Sequence, residues 1–573
     1  AYSQHKMAAY DVDPLTHQLT QIWEWHNNVS TSPWYGNGFH NYCVADVDWD
    51  GRDEIVYGSM VIDDNGLGLS TTGLGHGDAQ HCSDFDPYRH GQEIFTCNEA
   101  KPCNNYRDAT TSTIYYRLVG NDDDGRAMCA NVSDAYPGAE AASAASGIIN
   151  CCSAKVIDGW TNNWYTGNDP MALNFRIYWD GDLLEETVNS PGTEKECIIV
   201  KPSQGRIFQT GGVSMCNWTK NTPCAMGDII GDWREELVLR DGSNKELRIY
   251  TTPKTTTYRN YSLWHDHQYR NGMVWEECGY NQPPHTSYFL GNLEDITMAP
   301  PALTMTGREE VADGGTITDE DKHFIVCDNG NTEIHIADGA KPYMVTFNVP
   351  SHVEGTAASN CTVQKTSINT TYSTCNVTGG ALAGSMRFVK QGDGTLNLPK
   401  VDMAYTGTTD VWAGVLNFDG TLKNSELWLN RFAELNSNGG EFCSIKADYG
   451  SIIRPGGENK KGEIVVDSLL TLNFGSHIVL DLYSENTTSD FISTKTLKIG
   501  TKTGEVWQKY GPEYLMPVIE VTEHINTNDS TLAEGCYLIA KADSVIGNLN
   551  DIKIEGVTTL KASLKQDENG FIY

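Results

Sequence analysis

The chain has 573 residues, enough for two or three domains with cores of their own. Its formal net charge of −34 argues against nucleic-acid binding, which needs a basic surface. The sequence contains no run of about 18 apolar residues, so it predicts no membrane span. The 55 glycines, and turns rich in Asp and Asn, favour many short strands. We therefore expect an all-β protein.

Residues 1–300 repeat one local pattern and are rich in Trp, Tyr, His and Asp. An Asp-rich turn precedes a short apolar run at residues 54–57, 93–95 and 236–239. A short β unit that recurs along the chain is typical of a β-propeller. We predict a propeller over residues 1–300.

The sequence changes character after Pro300 and Pro301, where Trp nearly vanishes. Residues 301–390 predict a small β domain, with strands near residues 323–327 and 343–349. Residues 391–573 carry Gly-Thr-Leu steps between closely spaced strands and resemble autotransporter-associated β repeats. That resemblance implies a β-solenoid, in which each strand packs on its neighbours. A β-sandwich is the alternative.

The clearest local motif is ADVDWDGRDE at residues 45–54. Its acidic residues have the spacing of a calcium loop, although a strand follows where an EF-hand has a helix. The alternative is a hydrophilic turn without an ion. The predicted ligands are Asp46, Asp48, Asp50 and Glu54, with a backbone carbonyl at Arg52.

Weaker acidic motifs follow the first one along the chain. They predict several calcium ions in this segment, because carboxylates are the ligands that calcium prefers. Their predicted ligands are Asp84, Asp86 and Glu93, then Asp180 and Asp182, then Asp228, Asp232 and Glu235.

A second kind of cluster is LGHGDAQH, which holds His76, Asp78 and His81. His40 lies upstream in GFHNY, and Glu99 lies downstream. Clustered histidines indicate metal binding or proton transfer. The alternative is a set of separately packed histidines.

Several motifs occur here in the order found in one enzyme family: GSMVIDDNGLGLSTTGLGHGDAQH, IYWDGDLLEE, GDWREELVLR, LRIYTT, HDHQYR and GYNQPPHTSYFLG. Over residues 5–295 the chain resembles the rhamnogalacturonan lyases of polysaccharide lyase family eleven. The resemblance implies an eight-bladed propeller that binds several calcium ions. It also implies cleavage of the rhamnogalacturonan-I backbone by β-elimination.

The resemblance further implies a cleft and a role for each matched residue. Lys220 is the implied base, Arg126 the group that stabilises the enolate-like intermediate, and Tyr280 a third catalytic residue. Calcium would neutralise the carboxylate of the galacturonate. The implied calcium neighbours are His40, His76, Asp78 and Glu99, and the implied substrate contacts are Asn217, Thr219 and His76.

The resemblance begins partway through the family's propeller. We therefore expect a partner segment or a partner chain to complete the blades. Asn98 stands where the family has a histidine, and NVSD at residue 131 replaces a calcium loop. The 16 cysteines predict disulfides in an oxidising compartment, and Asn-x-Ser/Thr sequons add to the expectation of a secreted or cell-surface protein.

Other functions remain open at this stage. One is a non-catalytic, calcium-stiffened protein that binds glycans or self-assembles on a surface. A hydrolase with paired carboxylates is a third alternative, and the acidic residues fit it less well because calcium accounts for them.

Overall fold

The computed structural model describes residues 4–573 except 121–122, 144–146, 160–164, 167–168, 171–172, 174, 292–307, 328–329, 363–368, 526–528, 530 and 559–560. Nearly all regular structure within these residues is β, which confirms the predicted class. The sequence boundary at Pro300 and Pro301 lies outside the described residues.

The described part of residues 1–300 contains five small antiparallel sheets, called sheets 1 to 5 in chain order. Sheets 1 to 4 are meanders, in which each strand pairs with the next along the chain. In sheet 5 the third strand pairs with all three others. The strands are Cys43–Ala45, Glu54–Tyr57, Met60–Ile62 and Gly68–Thr71 in sheet 1; Gly77–Ser83, Glu93–Asn98, Cys103–Asp108 and Ile114–Val119 in sheet 2; Ala127–Ala130, Glu140–Ser143, Ile148–Asn150 and Lys155–Val156 in sheet 3; Arg176–Ile177, Glu186–Asn189, Ile198–Lys201 and Gly205–Gln209 in sheet 4; and Val213–Ser214, Ala225–Gly227, Glu236–Asp241 and Leu247–Tyr250 in sheet 5.

One buried glutamate recurs in every sheet, at the start of the strand that follows the acidic loop. A backbone N–H of that loop donates to its Oε2, at distances between 2.8 and 3.1 Å. The buried carboxylate therefore fixes the loop at the end of its sheet. The five residues are Glu54, Glu93, Glu140, Glu186 and Glu236.

Two hairpins and two short helices complete this half. The hairpins pair His5–Val12 with Leu19–Asn27, and Tyr165–Thr166 with Asp169–Pro170. Helix α1 spans His267–Trp275 and begins at Asp266, whose side chain accepts from the Tyr269 N–H. Two 3₁₀ turns cover Trp218–Lys220 and Leu263–His265.

The C-terminal half consists of two sheets of 11 strands, whose strands alternate along the chain. Almost all neighbours pair in parallel, so each turn of chain adds one strand to each sheet. The first sheet holds Arg308–Glu310, His323–Cys327, Met344–Asn348, Arg387–Gln391, Thr409–Val411, Thr421–Leu429, Gly440–Ala447, Glu463–Leu472, Phe491–Ile499, Ala540–Ile546 and Phe571–Ile572. The second holds Thr316–Ile317, Thr332–Ile336, Thr374–Gly379, Thr395–Asn397, Val415–Asn417, Glu434–Ser437, Ile452–Pro455, His477–Tyr483, Thr488–Ser489, Val518–His524 and Lys553–Glu555.

A single apolar core runs between these two sheets from Val311 to Ile572. Buried and exposed residues alternate along the strands that form this core. In Thr332–Ile336, for example, every second residue is buried. Both sheets continue through residue 390, so the two C-terminal segments distinguished in the sequence share one pair of sheets. The remaining elements are a hairpin of Ser351–Glu354 and Asn369–Tyr372, helix α2 at Glu505–Tyr510, and 3₁₀ turns at Glu485–Thr487 and Leu549–Asp551.

The parallel sheets contact the acidic loops of sheets 1 and 2. Arg431 forms an ion pair with Asp84, with 3.0 Å between nitrogen and oxygen. Tyr88 packs in an aromatic cluster with Tyr449, Phe474 and Trp507 from the C-terminal half. The C-terminal half therefore covers the loops at this end of the small sheets.

Candidate functional site

Two histidines and an aspartate meet at the other end of sheets 1 and 2. His40 precedes the first strand of sheet 1, while His76 and Asp78 stand at the start of the first strand of sheet 2. The two Nε2 atoms lie 3.3 Å apart, and His40 Nε2 is 3.4 Å from Asp78 Oδ1. Three side chains of types that can bind a metal thus converge from two segments.

His76 is held in one tautomer. Its Nδ1 lies 2.6 Å from the carbonyl oxygen of Gly38, which only accepts, so Nδ1 carries the proton. The Nε2 lone pair then faces His40, with Glu99 Oε2 at 3.6 Å. Burial lowers the pKa of His40, although the Asp78 carboxylate opposes this effect. Both imidazoles are therefore suited to accept a proton or to bind a cation.

Lys220 reaches this cluster from sheet 5. It lies on the loop that joins the strands Val213–Ser214 and Ala225–Gly227. Its Nζ is 3.2 Å from Asp78 Oδ2 and also donates to the carbonyl oxygen of Gly125. The ammonium thus shares Asp78 with His40.

Tyr280 completes the group from the segment after α1. Its ring stacks on the His40 ring with 4.2 Å between centroids, and Lys220 Nζ lies 5.0 Å from its centre. The preceding Gly279 has a φ of 91°, and a Cβ there would lie 1.9 Å from the carbonyl oxygen of His40. Only glycine fits this close approach.

The other residues implied by the family resemblance lie on the same segments. Arg126 follows Gly125, is half-buried, and has its pKa lowered by burial while Asp78 acts to raise it. Asn217 and Thr219 share the loop of Lys220. His81 is buried elsewhere, with its Nδ1 2.8 Å from His285 Nε2. It is one of the separately packed histidines.

The first acidic loop has the chemistry of a cation site. Asp46, Asp48, Glu54 and Asp63 each have a buried carboxylate oxygen with no hydrogen-bond partner among the described residues. Burial raises the pKa of Asp48 to about 8 and that of Asp63 to about 6. Clustered buried carboxylates need a compensating cation, and calcium prefers such oxygen ligands. These residues fit the predicted ion, and the structure adds Asp63 to the set.

Asp50 and Arg52, in the same loop, have further partners. Asp50 Oδ2 lies 2.5 Å from His352 Nδ1, and the Arg52 guanidinium pairs with Asp64 at 3.0 Å. The histidine comes from the C-terminal half, so that half contributes to the surroundings of the loop.

Two arginine side chains pair with carboxylates in the acidic loop of sheet 2. Arg431 pairs with Asp84, and Arg89 Nε is 3.2 Å from Asp86 Oδ2. Burial raises the pKa of Glu93, the third predicted ligand. Two guanidinium groups thus balance part of the charge that calcium was predicted to balance.

In sheet 4 a lysine stands among the predicted ligands. Lys201 Nζ lies 2.9 Å from Asp180, 2.6 Å from Asp182 and 3.0 Å from Glu186. All three oxygens therefore face an ammonium group, and the donor set does not fit calcium while Lys201 is there.

The acidic loop of sheet 5 differs from the prediction in its register. Both oxygens of Glu235 are hydrogen-bonded, to Arg176 and the Tyr178 N–H on one side and to the Tyr269 hydroxyl on the other. Glu236 is the residue equivalent to Glu54. Asp228 accepts from Ser262 and Leu263, and Asp232 pairs with Arg234.

Comparison with known proteins shows that the chain belongs to a polysaccharide lyase family. Residues 1–300 match the model of the rhamnogalacturonan lyase family 11 C-terminal domain, and the chain belongs to this family. It is 39% identical over 295 residues to rhamnogalacturonan endolyase YesW of Bacillus subtilis, covering 51% of this chain and 46% of YesW. It is also 39% identical over 312 residues to the exolyase YesX of the same organism, covering 51% and 49%.

Solved structures of rhamnogalacturonan lyases also align with part of this chain. The crystal structure of YesW aligns with a TM-score of 0.47 at 37% identity over 52% of this chain and 49% of its own. A Bacillus licheniformis family 11 lyase aligns with a TM-score of 0.46, also at 37% identity, over 51% and 48%. The chain therefore spans about half the length of the relatives it matches.

Proposed function

We propose that the protein is a rhamnogalacturonan lyase that cleaves the rhamnogalacturonan-I backbone by β-elimination. The observation that supports this most directly is the convergence of His40, His76, Asp78, Lys220 and Tyr280 from three sheets and a later segment. Packing alone gives no reason for a lysine, a phenol, two imidazoles and a carboxylate to converge. The lyase names of the family 11 relatives support the substrate class.

The proposed reaction removes the C5 proton of a galacturonate, forms a C4=C5 double bond and breaks the C4–O bond, and the leaving oxygen takes up a proton from solvent. Lys220 accepts that proton as the general base. Asp78 and the Gly125 carbonyl hold Nζ in place. Arg126 remains charged and binds the anionic intermediate, while Asn217 and Thr219 contact the sugar.

A divalent cation beside these residues would neutralise the substrate carboxylate and so make the C5 proton more acidic. The donors that would hold it are His40, His76, Asp78 and Glu99. The two carboxylates suit calcium, whereas imidazoles more often bind transition metals. The acidic loop of sheet 1 is the better match to a calcium site, and we assign it a structural role.

The test uses Lys220→Ala and Lys220→Arg in an assay of the unsaturated product by ultraviolet absorbance. Loss of a general base lowers turnover by about 10²–10⁴-fold, and Lys220→Arg should recover little because a guanidinium keeps its proton. Lys254→Ala is the matched control, since this lysine follows the last strand of sheet 5 and contacts Asp180 in the acidic loop of sheet 4. Near-normal turnover in Lys220→Ala would remove Lys220 as the base and implicate His76.

The same proposal includes the architecture. Sheets 1 to 5 would be blades of a propeller whose remaining blades come from a further segment or a partner chain, and the protein would act outside the cell. In the described residues no helix is long and apolar enough to cross a membrane.

A second function, glycan binding or surface assembly without catalysis, is favoured by the two parallel sheets of the C-terminal half, which lie outside the family match. Retention of rhamnogalacturonan on the protein with no unsaturated product would support it over the lyase.

A further inference from the structure

Two cysteines face each other at the base of the loop that carries Lys220. Cys216 and Cys224 have their sulfur atoms 3.3 Å apart. The backbone of Cys216 pairs with that of Thr222 in both directions, at 2.8 and 3.1 Å, which closes the loop between the two cysteines. A disulfide needs an S–S distance of about 2.05 Å, so closure requires the sulfurs to approach by roughly 1.3 Å.

The enclosed loop is buried only at its C-terminal end, where Asn221 and Thr222 are 8% and 0% exposed. Its 3₁₀ turn, Trp218–Lys220, contains no buried residue. Asn217, Trp218 and Asn221 all have φ values between 49° and 60°, a left-handed conformation unfavourable for residues with a Cβ. Contacts from outside also hold the loop: the Glu194 carboxylate accepts from the Trp218 N–H at 2.9 Å, and Asn281 Nδ2 donates to the Pro223 carbonyl oxygen at 3.2 Å.

We infer that Cys216 and Cys224 form a disulfide that fixes the loop of Lys220, and that this covalent link is a positioning element of the site. The inference about positioning rests on the proposed function; the existence of the link does not. Both cysteines lie at the base of the loop and would act on the site through it.

The surroundings favour the chemistry. Both cysteines are only partly buried, so a small oxidant can reach them. The hydrogen bond from the Cys224 thiol, followed by the nearby Arg240 guanidinium, lowers the pKa of Cys216 to about 6. A thiolate at Cys216 is the attacking species that thiol–disulfide exchange needs.

The oxidant is a small-molecule disulfide such as oxidised glutathione. Cys216 attacks one of its sulfurs and releases one thiolate, which leaves a mixed disulfide. Cys224 loses its proton to solvent and attacks Cys216 Sγ, which expels the second thiolate. The two protein sulfurs lose two electrons, and the oxidant becomes two thiols.

Peptide mapping of the full chain tests the link directly. Trypsin cleaves after Arg206, Lys220 and Arg234, so the two cysteines fall on separate peptides, residues 207–220 and 221–234, with one cysteine each. After treatment with oxidised glutathione and alkylation, we expect these two peptides as one linked species that a reductant separates. Recovery of both as alkylated single peptides, or linkage of either to another cysteine such as Cys278, would overturn the inference.

Activity tests the positioning role. We expect reduction of the wild-type chain to lower turnover on the order of tenfold, since small misplacements of a catalytic group cost up to ~100-fold. Cys224→Ser should show the lower rate in both redox states, whereas Cys443→Ser, in the C-terminal half, should keep the wild-type response. Equal rates for oxidised and reduced wild type would refute positioning and leave the link. A linked chain without elimination in either state would refute the proposed function only.

Discussion

Removal of Lys201 offers a sharp test of how the acidic loops are neutralised. Its ammonium is the cation nearest to three carboxylates, and the side chain is only 3% exposed. Asp180 and Glu186 are also buried, with 7% and 0% exposure, whereas Asp182 is 46% exposed and contributes less because solvent screens it. Lys201→Met would therefore leave Glu186 buried without its ammonium partner, and Asp180 with only the exposed Lys254 at 3.5 Å.

Breaking a buried ion pair by removing one partner costs about 3–5 kcal/mol. A domain of this size loses roughly 2 °C of melting temperature per kcal/mol, so we expect a fall of about 6–10 °C in the presence of a chelator. Calcium should restore part of this loss, because the three carboxylates then have the ligand chemistry of the loop in sheet 1.

The assay is thermal unfolding followed by fluorescence, with and without millimolar calcium. Lys254→Met is the matched control: its Nζ is 3.5 Å from the same Asp180, but the side chain is 46% exposed, so little change is expected. If Lys201→Met melts within 1–2 °C of wild type in chelator, or if calcium shifts variant and wild type equally, the ammonium is not replacing an ion.

Two further predictions concern the first two acidic loops. Burial raises the pKa of Asp48 to about 8. In the calcium-free protein this group therefore contributes its full stabilisation below about pH 4, and the contribution is lost as the pH rises toward 8. The melting temperature in chelator should therefore fall from pH 5 to pH 8, and the shift caused by calcium should grow; a shift independent of pH would contradict this. Arg431→Ala removes the guanidinium from Asp84 and should lower the melting temperature by several degrees and speed proteolysis between the two halves. Arg454→Ala, whose pair with Glu434 lies within the C-terminal half, is the control, and equal effects of the two variants would refute a docking role.

The sequence was informative where a local pattern carries the chemistry. Strand alternation and turn composition predicted the all-β class, and the family motifs predicted the lyase family; both are confirmed. The spacing in residues 45–54 identified a loop whose buried carboxylates fit a cation. The spacing of that loop depends on residues within ten positions of one another.

The sequence failed to show what neutralises each loop, since the cations arrive from elsewhere. Lys201 lies 15 residues from Glu186, and Arg431 lies 347 residues from Asp84. In sheet 5, two adjacent glutamates fit the spacing equally well. Only the strand register shows that Glu236, rather than Glu235, receives the loop amides.

The position of the C-terminal half relative to the cluster follows from the direction of the first strands. In sheet 2, His76 precedes the strand Gly77–Ser83, and Asp84 follows it. Seven residues of strand span roughly 23 Å at ~3.3 Å each, so Arg431 docks at the end of the sheet away from the histidines.

The C-terminal half also contacts the first acidic loop, whose carboxylates fit a cation. His352 and the Gly355 N–H bind Asp50 and Asp63 of the first loop, so a cation there competes with, or is completed by, groups of the C-terminal half. The contacts of the C-terminal half thus lie at the end of the sheets opposite Lys220, and the end with Lys220 is where we propose that the substrate binds.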